Sequence, residues 1–150
     1  MPDHARLFPR LAGLLAPGAV LAVQMPRNQS EPSHTLMADT VEDGPWAERL
    51  RPLVRRQPVA APEAYYDWLS PVVLRLEVWE TIYWQVLDGD NPVGEFTKGT
   101  ALRPFLQALE EGERRAFLDA YAGRIRAAYP PRPDGRTLFP FRRLFIVATC

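Results

Sequence analysis

The chain has 150 residues, 47% of them hydrophobic, 24% charged and 11% aromatic, with eighteen basic and eighteen acidic side chains. That is the size and composition of about one globular domain, so disorder along the whole chain is excluded. The absence of a basic excess argues against a nucleic-acid partner. The single Cys, Cys150, excludes an internal disulfide and a Cys-cluster zinc site, and points to a reducing, cytoplasmic setting. No run of about 18 apolar residues is present to cross a membrane. The cations are seventeen Arg and one Lys, Lys98. This bias fits a GC-rich genome first and carboxylate or phosphate recognition second.

In chain order, Leu7, Phe8, Leu11, Leu14 and Leu15 recur at helical spacing and predict a helix over 5–16, stopped by Pro17-Gly18. The continuous apolar run at 20–26 predicts a strand, of the kind buried on both faces of a parallel sheet. Ser30 is the expected N-cap of a helix that carries Pro32 in its first turn and reaches about Glu42. Gly44-Pro45 breaks it, and helices over 46–56 and 62–69 follow. Over 72–87, Leu74, Leu76, Val78, Ile82, Trp84 and Val86 share one parity, which predicts a strand with a bulge or bend near Trp79-Glu80. Residues 92–110 read as a helix interrupted at Gly99 and Pro104. Residues 111–129 read as an amphipathic helix with Phe117, Leu118, Tyr121, Ile125 and Tyr129 on one face. A last apolar strand covers 144–148. Strands separated by long helical insertions indicate an α/β sheet fragment with a helical lid.

The nine glycines are nowhere closer than five residues apart, so G-x-G does not occur and no glycine-rich nucleotide loop of that kind is encoded. G-x-S-x-G and H-E-x-x-H are also missing. His4 and His34 are the only imidazoles, and His4 sits at a terminus expected to fray. Polar residues cluster just past the first strand: Gln24, Asn28, Ser30 and His34. The carboxyl end of a strand beside a helix N-terminus suits an anionic ligand. The same residues also fit a plain cap and a solvated first-turn His. A second cluster, Lys98 to Phe105, places the only Lys five residues before Arg103 in an interrupted helix. That pattern suits either a ligand site or a simple kink with solvated charges. Trp79, Tyr83 and Trp84 fit a pocket wall or plain core.

Several segments carry a resemblance. They are Pro2-Asp3-His4, Leu14-Leu15-Ala16-Pro17-Gly18, Val23-Gln24-Met25-Pro26-Arg27-Asn28, Glu31-Pro32-Ser33-His34, Trp79-Glu80-Thr81-Ile82-Tyr83, the 98–105 segment, and Pro140 to Ala148. In this order they resemble the C-terminal half of trans-aconitate 2-methyltransferases, S-adenosylmethionine-dependent enzymes of class I. Gln85 stands where that family usually has His. The resemblance implies the C-terminal part of a doubly wound, Rossmann-like sheet. Residues 20–26, 72–87 and 144–150 would be strands five, six and seven, with the last antiparallel between the other two. Residues 1–30 and 70–150 would form the sheet part of one partial domain, and 31–69 the lid. The implied reaction moves a methyl group from S-adenosylmethionine to a carboxylate of trans-aconitate or a similar small tricarboxylate. A carboxylate is already ionised at neutral pH, so no general base is required. By motif position, the implied substrate residues are Gln24, Asn28, His34, Tyr83, Lys98 and Arg103, with no catalytic acid or base and no metal ligand.

The cofactor's main loop and the first four strands belong before Met1. The chain is therefore expected to be inactive alone, as a fragment, a mis-started product or half of a split gene. Its expected partners are a carboxylic acid and either a separate N-terminal half or a second copy paired through the apolar edge of strand five. A non-catalytic fragment that binds carboxylates or another protein is the alternative.

Overall fold

A computed structural model describes residues 3–54 and 59–150. It is a mixed α/β structure with seven α-helices and three strands among these residues. The helices are α1 (His4–Ala12), α2 (Pro32–Glu42), α3 (Ala47–Leu50), α4 (Pro62–Leu69), α5 (Pro92–Lys98), α6 (Arg103–Gln107) and α7 (Glu111–Ala128). The strands are β1 (Val20–Pro26), β2 (Arg75–Leu87) and β3 (Thr137–Thr149), in the sheet order β1-β3-β2. The described residues form two compact units. One comprises those up to Arg27, from Val59 to Tyr83 and from Phe141 onward; the other comprises those from Asn28 to Val54 and from Trp84 to Pro140.

In the first unit, β1 runs antiparallel to β3, with Val20 opposite Thr149 and Pro26 opposite Arg143. The last strand thus lies between the other two, as the resemblance implied. The expectation of a parallel β1 buried on both faces is corrected. β1 is an edge strand with alternating exposure, and Val20, Ala22, Gln24 and Pro26 are the exposed set. A continuous apolar run records hydrophobicity but not strand direction or position in the sheet.

The inner face of this sheet, Leu144 and Ile146 with Leu21, Val23, Met25, Leu76 and Val78, packs on Phe8, Ala12, Tyr65 and Leu69 of α1 and α4. Tyr65 is fully buried and meets Phe8 and Trp68 edge-on at 5.1 and 5.0 Å. Its hydroxyl lies 2.6 Å from His4 Nδ1 and 3.7 Å from Met25 Sδ. His4 therefore opens α1 against the core; the expectation that it frays is corrected by this contact. The helix is shorter than the 5–16 reading and ends at Gly13, leaving Leu14 and Leu15 exposed.

Three further boundaries differ for local reasons. Ser30 does not cap α2; Glu31 does, because Pro32 takes the first helical position and forces the preceding residue to be extended (φ −77°, ψ 152°). The helix expected over 46–56 is α3 followed by a 3-10 turn, Arg51–Leu53, that contains Pro52; residues 55 and 56 lie outside the described set. β3 begins at Thr137, seven residues before the expected 144. Pro140 hid this extension, since it has no N–H to donate. The proline is tolerated because β1 pairs only with 143–149, so β3 has a neighbour on at most one side at Pro140.

In β2 the alternation changes phase near the expected bend. Leu76 and Val78 are the less exposed set before Glu80–Thr81, whereas Ile82, Trp84 and Val86 are exposed after it.

The second unit is helical apart from the ends of β2 and β3. α2 and α5 pack on α7, and Val41, Val93, Phe117 and Ile125 on these helices are buried. The interruption expected in 92–110 is observed as the break between α5 and α6. α7 starts with a capping box in which Glu110 and Glu113 satisfy each other's backbone N–H groups. Trp46 meets Phe117 edge-on at 5.2 Å and donates its indole N–H to Thr40 O at 2.8 Å. Its ring lies over Gly44, where a Cβ would come within 2.1 Å of it, so only glycine fits there.

Burial holds the His4 imidazole below its ordinary pKa of 6.5. The folded chain then resists protonation that the unfolded chain accepts, so stability is lost as pH falls through about 6.5. We expect the urea midpoint to drop between about pH 7 and pH 5, and His4→Gln to flatten that drop. Equal slopes in the two proteins would exclude His4 as the source.

Candidate functional site

The six residues selected from sequence fall on both units. Gln24 and Tyr83 belong to the first unit; Asn28, His34, Lys98 and Arg103 belong to the second.

In the first unit, Gln24 sits on the exposed face of β1, opposite Phe145 of β3. Its Oε1 accepts a hydrogen bond from Arg143 Nη1 at 2.6 Å. Phe145 stacks on Trp79 of β2 with ring centroids 5.2 Å apart and an interplanar angle of 7°. Arg143 also lies over the Phe141 ring at 5.0 Å. The outer sheet face therefore joins a guanidinium, an amide and an aromatic pair. Tyr83 is exposed on β2 beyond the phase change. Where the phase changes, Glu80 receives Arg27 at 2.8 Å and Arg142 at 3.5 Å, and Arg27 Nε donates to Ala60 O at 3.0 Å. This half-buried bridge ties β1's exit to β2 and β3.

In the second unit, the connection out of β1 is a series of turns. Glu31 N–H donates to Asn28 O at 2.9 Å, and His34 N–H donates to Glu31 O at 2.9 Å. Asn28 is buried at 2% exposure, so its side chain belongs to the floor of this connection. His34 is half-buried in the first turn of α2, with Nδ1 3.2 Å from Ser33 Oγ. Ser33 is fully buried; its N–H donates to Tyr129 OH at 3.1 Å, and its carbonyl accepts from Tyr121 OH at 2.8 Å. Next to Asn28, Gln29 Oε1 is buried without a hydrogen-bond partner. An orphaned buried acceptor costs about 1–3 kcal/mol and marks a place where a donor is wanted.

Lys98 and Arg103 flank the α5–α6 break, and both are exposed. Lys98 makes a solvent-exposed pair with Glu95 at 3.6 Å, the kind that contributes little. It lines a cleft of about 310 Å³ between α5 and α7, together with Asn91, Arg115, Asp119 and Tyr121. Asn28, His34 and Arg103 do not line that cleft. The Arg103 side chain has no hydrogen bond or ion pair among the described residues, whereas Arg49, Arg51, Arg114 and Arg124 are each bound to carboxylates. Among the described residues there is also no group of three His, Cys, Asp or Glu able to hold a metal, and no helix is long and apolar enough to cross a membrane.

Sequence reasoning missed Arg143, Glu80, Gln29 and the hydroxyls of Tyr121 and Tyr129. The two tyrosines read as members of an apolar stripe. Their signal was chemical: phenols stand where phenylalanines would pack equally well.

No protein-family model matches this chain. Curated proteins named trans-aconitate 2-methyltransferase do match. The chain is 54% identical to one from Azoarcus sp. (strain BH72) over 99% of its own length and 58% of that protein. It is 49% identical to one from Rhodopseudomonas palustris (strain BisB18), with the same coverage. It is 48% identical to one from Methylobacterium radiotolerans, covering 99% of this chain and 58% of the relative. The chain therefore spans about 58% of the length of these curated relatives, and that part is C-terminal.

Desolvation raises the Tyr121 phenol to about 12, and burial raises Tyr129 as well. Both stay neutral in the fold where the unfolded phenols, near 10, ionise. Their contribution to stability is complete below about pH 10 and is lost as pH climbs toward about 12. Phenolate absorbance should show a tyrosine that titrates last, and Tyr121→Phe should remove that step. If all five tyrosines titrate together in the folded protein, the buried clamp is wrong.

Proposed function

We propose a function for this chain from its sequence correspondence to the C-terminal part of the trans-aconitate 2-methyltransferases. In this reading it supplies the acid-binding side of such an enzyme, a carboxyl O-methyltransferase that uses S-adenosylmethionine and acts on trans-aconitate or a similar small tricarboxylate. The observation that carries this reading is Arg103, an exposed guanidinium left without a carboxylate in a chain whose other arginines largely have one. A guanidinium grips a carboxylate by two parallel hydrogen bonds, and a trianion needs several such donors. Within the same unit, His34 and Lys98 are the further donors proposed, with Asn28 buried in the connection before α2. Gln24 and Tyr83, on the other unit, are proposed as donors from motif position alone.

The chain's own residues bind and orient the acid. The nucleophile is a carboxylate oxygen that is already ionised, so no side chain has to remove a proton. What the protein adds is alignment, which converts a chance encounter into a near-attack geometry. The helices within 31–69 serve in this reading as the lid that excludes water.

The adenosyl donor does not fit the residues present. Gly89, at φ 121°, stands alone in the β2–α5 turn between Asp88 and Asp90, and no second glycine follows at the spacing a nucleotide-binding turn requires. The part of the reaction that falls to this chain is therefore confined to the acid. We place the donor's main binding loop, and the first strands of a doubly wound sheet, in an N-terminal part that would pair along the open edge of β1.

Two measurements test the reading. Calorimetry on the 150-residue chain should detect no S-adenosylmethionine binding; micromolar affinity would overturn the placement of the donor loop. When the chain is joined to the N-terminal part of its Azoarcus relative, Arg103→Ala should raise the trans-aconitate KM about tenfold with kcat nearly unchanged. An unaltered KM rejects Arg103 as the carboxylate clamp.

A further inference from the structure

Ser33 is held at both ends of its backbone by α7 and the residue that caps its C-terminus. Its N–H is among the first four of α2, which have no partner inside the helix, and Tyr129 supplies the acceptor at 3.1 Å. Its carbonyl accepts from Tyr121 OH at 2.8 Å. Tyr121 is 1% exposed and Tyr129 8% exposed. Packing alone would be met by phenylalanine at both positions; the hydroxyls have a polar role, both reaching Ser33, with Tyr121 also meeting Thr97. Ser33 is itself 0% exposed, and its hydroxyl lies 3.2 Å from Nδ1 of His34. A neutral imidazole whose Nδ1 accepts a hydrogen bond carries its proton on Nε2. That nitrogen is then a donor, as binding a carboxylate oxygen requires.

We propose that Tyr121 and Tyr129 are positioning residues. By clamping Ser33 they fix its hydroxyl against His34 Nδ1, and so hold the imidazole with Nε2–H directed to a carboxylate ligand. This rests on the reading of His34 as an acid-binding residue. The clamp acts at a distance from the ligand, through one serine, and it couples the packing of α2 on α7 to the orientation of a binding side chain. Neither tyrosine touches the ligand.

The test uses the 150-residue chain with ring-15N histidine, at a pH where the imidazole is neutral. Ser33→Ala should move the His34 Nδ1 resonance toward that of a nitrogen without a hydrogen bond. Tyr129→Phe, which keeps the ring and removes only the hydroxyl that meets the Ser33 N–H and side chain, should move it the same way and raise amide exchange at Ser33 about tenfold. Ser33→Thr, which keeps a hydroxyl, should restore the wild-type position. If Tyr129→Phe deprotects the Ser33 amide but leaves Nδ1 unmoved, the tyrosine is structural only and the proposal fails. In parallel, titration with trans-aconitate should weaken about threefold or more in Tyr129→Phe, and not further when His34→Ala is already present. Loss of affinity that adds fully to His34→Ala overturns the coupling. Absence of trans-aconitate binding by the unaltered chain overturns the acid-binding reading and the ligand half of this proposal, while the nitrogen resonance still decides the clamp.

Discussion

The sheet depends on β3. It is the only described strand with a neighbour on each side, and β1 finds its whole hydrogen-bonding partner in residues 143–149. Each buried backbone N–H and C=O must be paired, so without β3 neither β1 nor β2 has a ladder to join. The same strand supplies Leu144 and Ile146, which meet α1 and α4 on one face, and Phe145 and Arg143, which gather Trp79 and Gln24 on the other. The core and the polar outer face are thus two sides of one strand, and their alternation follows from the period of two.

The arginines divide by what they touch. Arg49, Arg51 and Arg124 bind surface carboxylates, and such pairs contribute little. Arg27 and Arg142 converge on Glu80 in a half-buried bridge, where charge-assisted bonds are stronger and loss of one partner leaves the others exposed to a desolvation cost. Arg103 has neither role among the described residues. An arginine bias that composition assigned first to codon usage therefore contains structural bridges and, among the described residues, several guanidinia without a carboxylate, Arg103 among them.

The second unit shows how a polar device can hide in an apolar pattern. Phe117, Tyr121 and Ile125 are the buried residues of α7, with Tyr129 buried at its C-cap, and the helical period predicted that stripe. The period does not say that the phenol oxygens at 121 and 129 meet the backbone of Ser33, 88 and 96 residues away in sequence. Hydrogen bonds of that separation arise only when α2 is laid on α7.

The sequence by itself determined the elements whose signals are local. Pro32 set the start of α2, Gly99 the break after α5, the Glu110/Glu113 spacing the start of α7, and the motif order the family likeness. Local sterics and capping act within a few residues, so they are written in neighbouring letters. Tertiary structure alone decided which face of β1 is exposed, that Pro140 lies inside β3, that His4 packs on Tyr65, and that Asn28 is buried while Arg103 is exposed without a partner among the described residues. Those outcomes depend on which distant segment supplies the missing half of each hydrogen bond and each apolar contact, and chain separation conceals that partner until the fold brings it near.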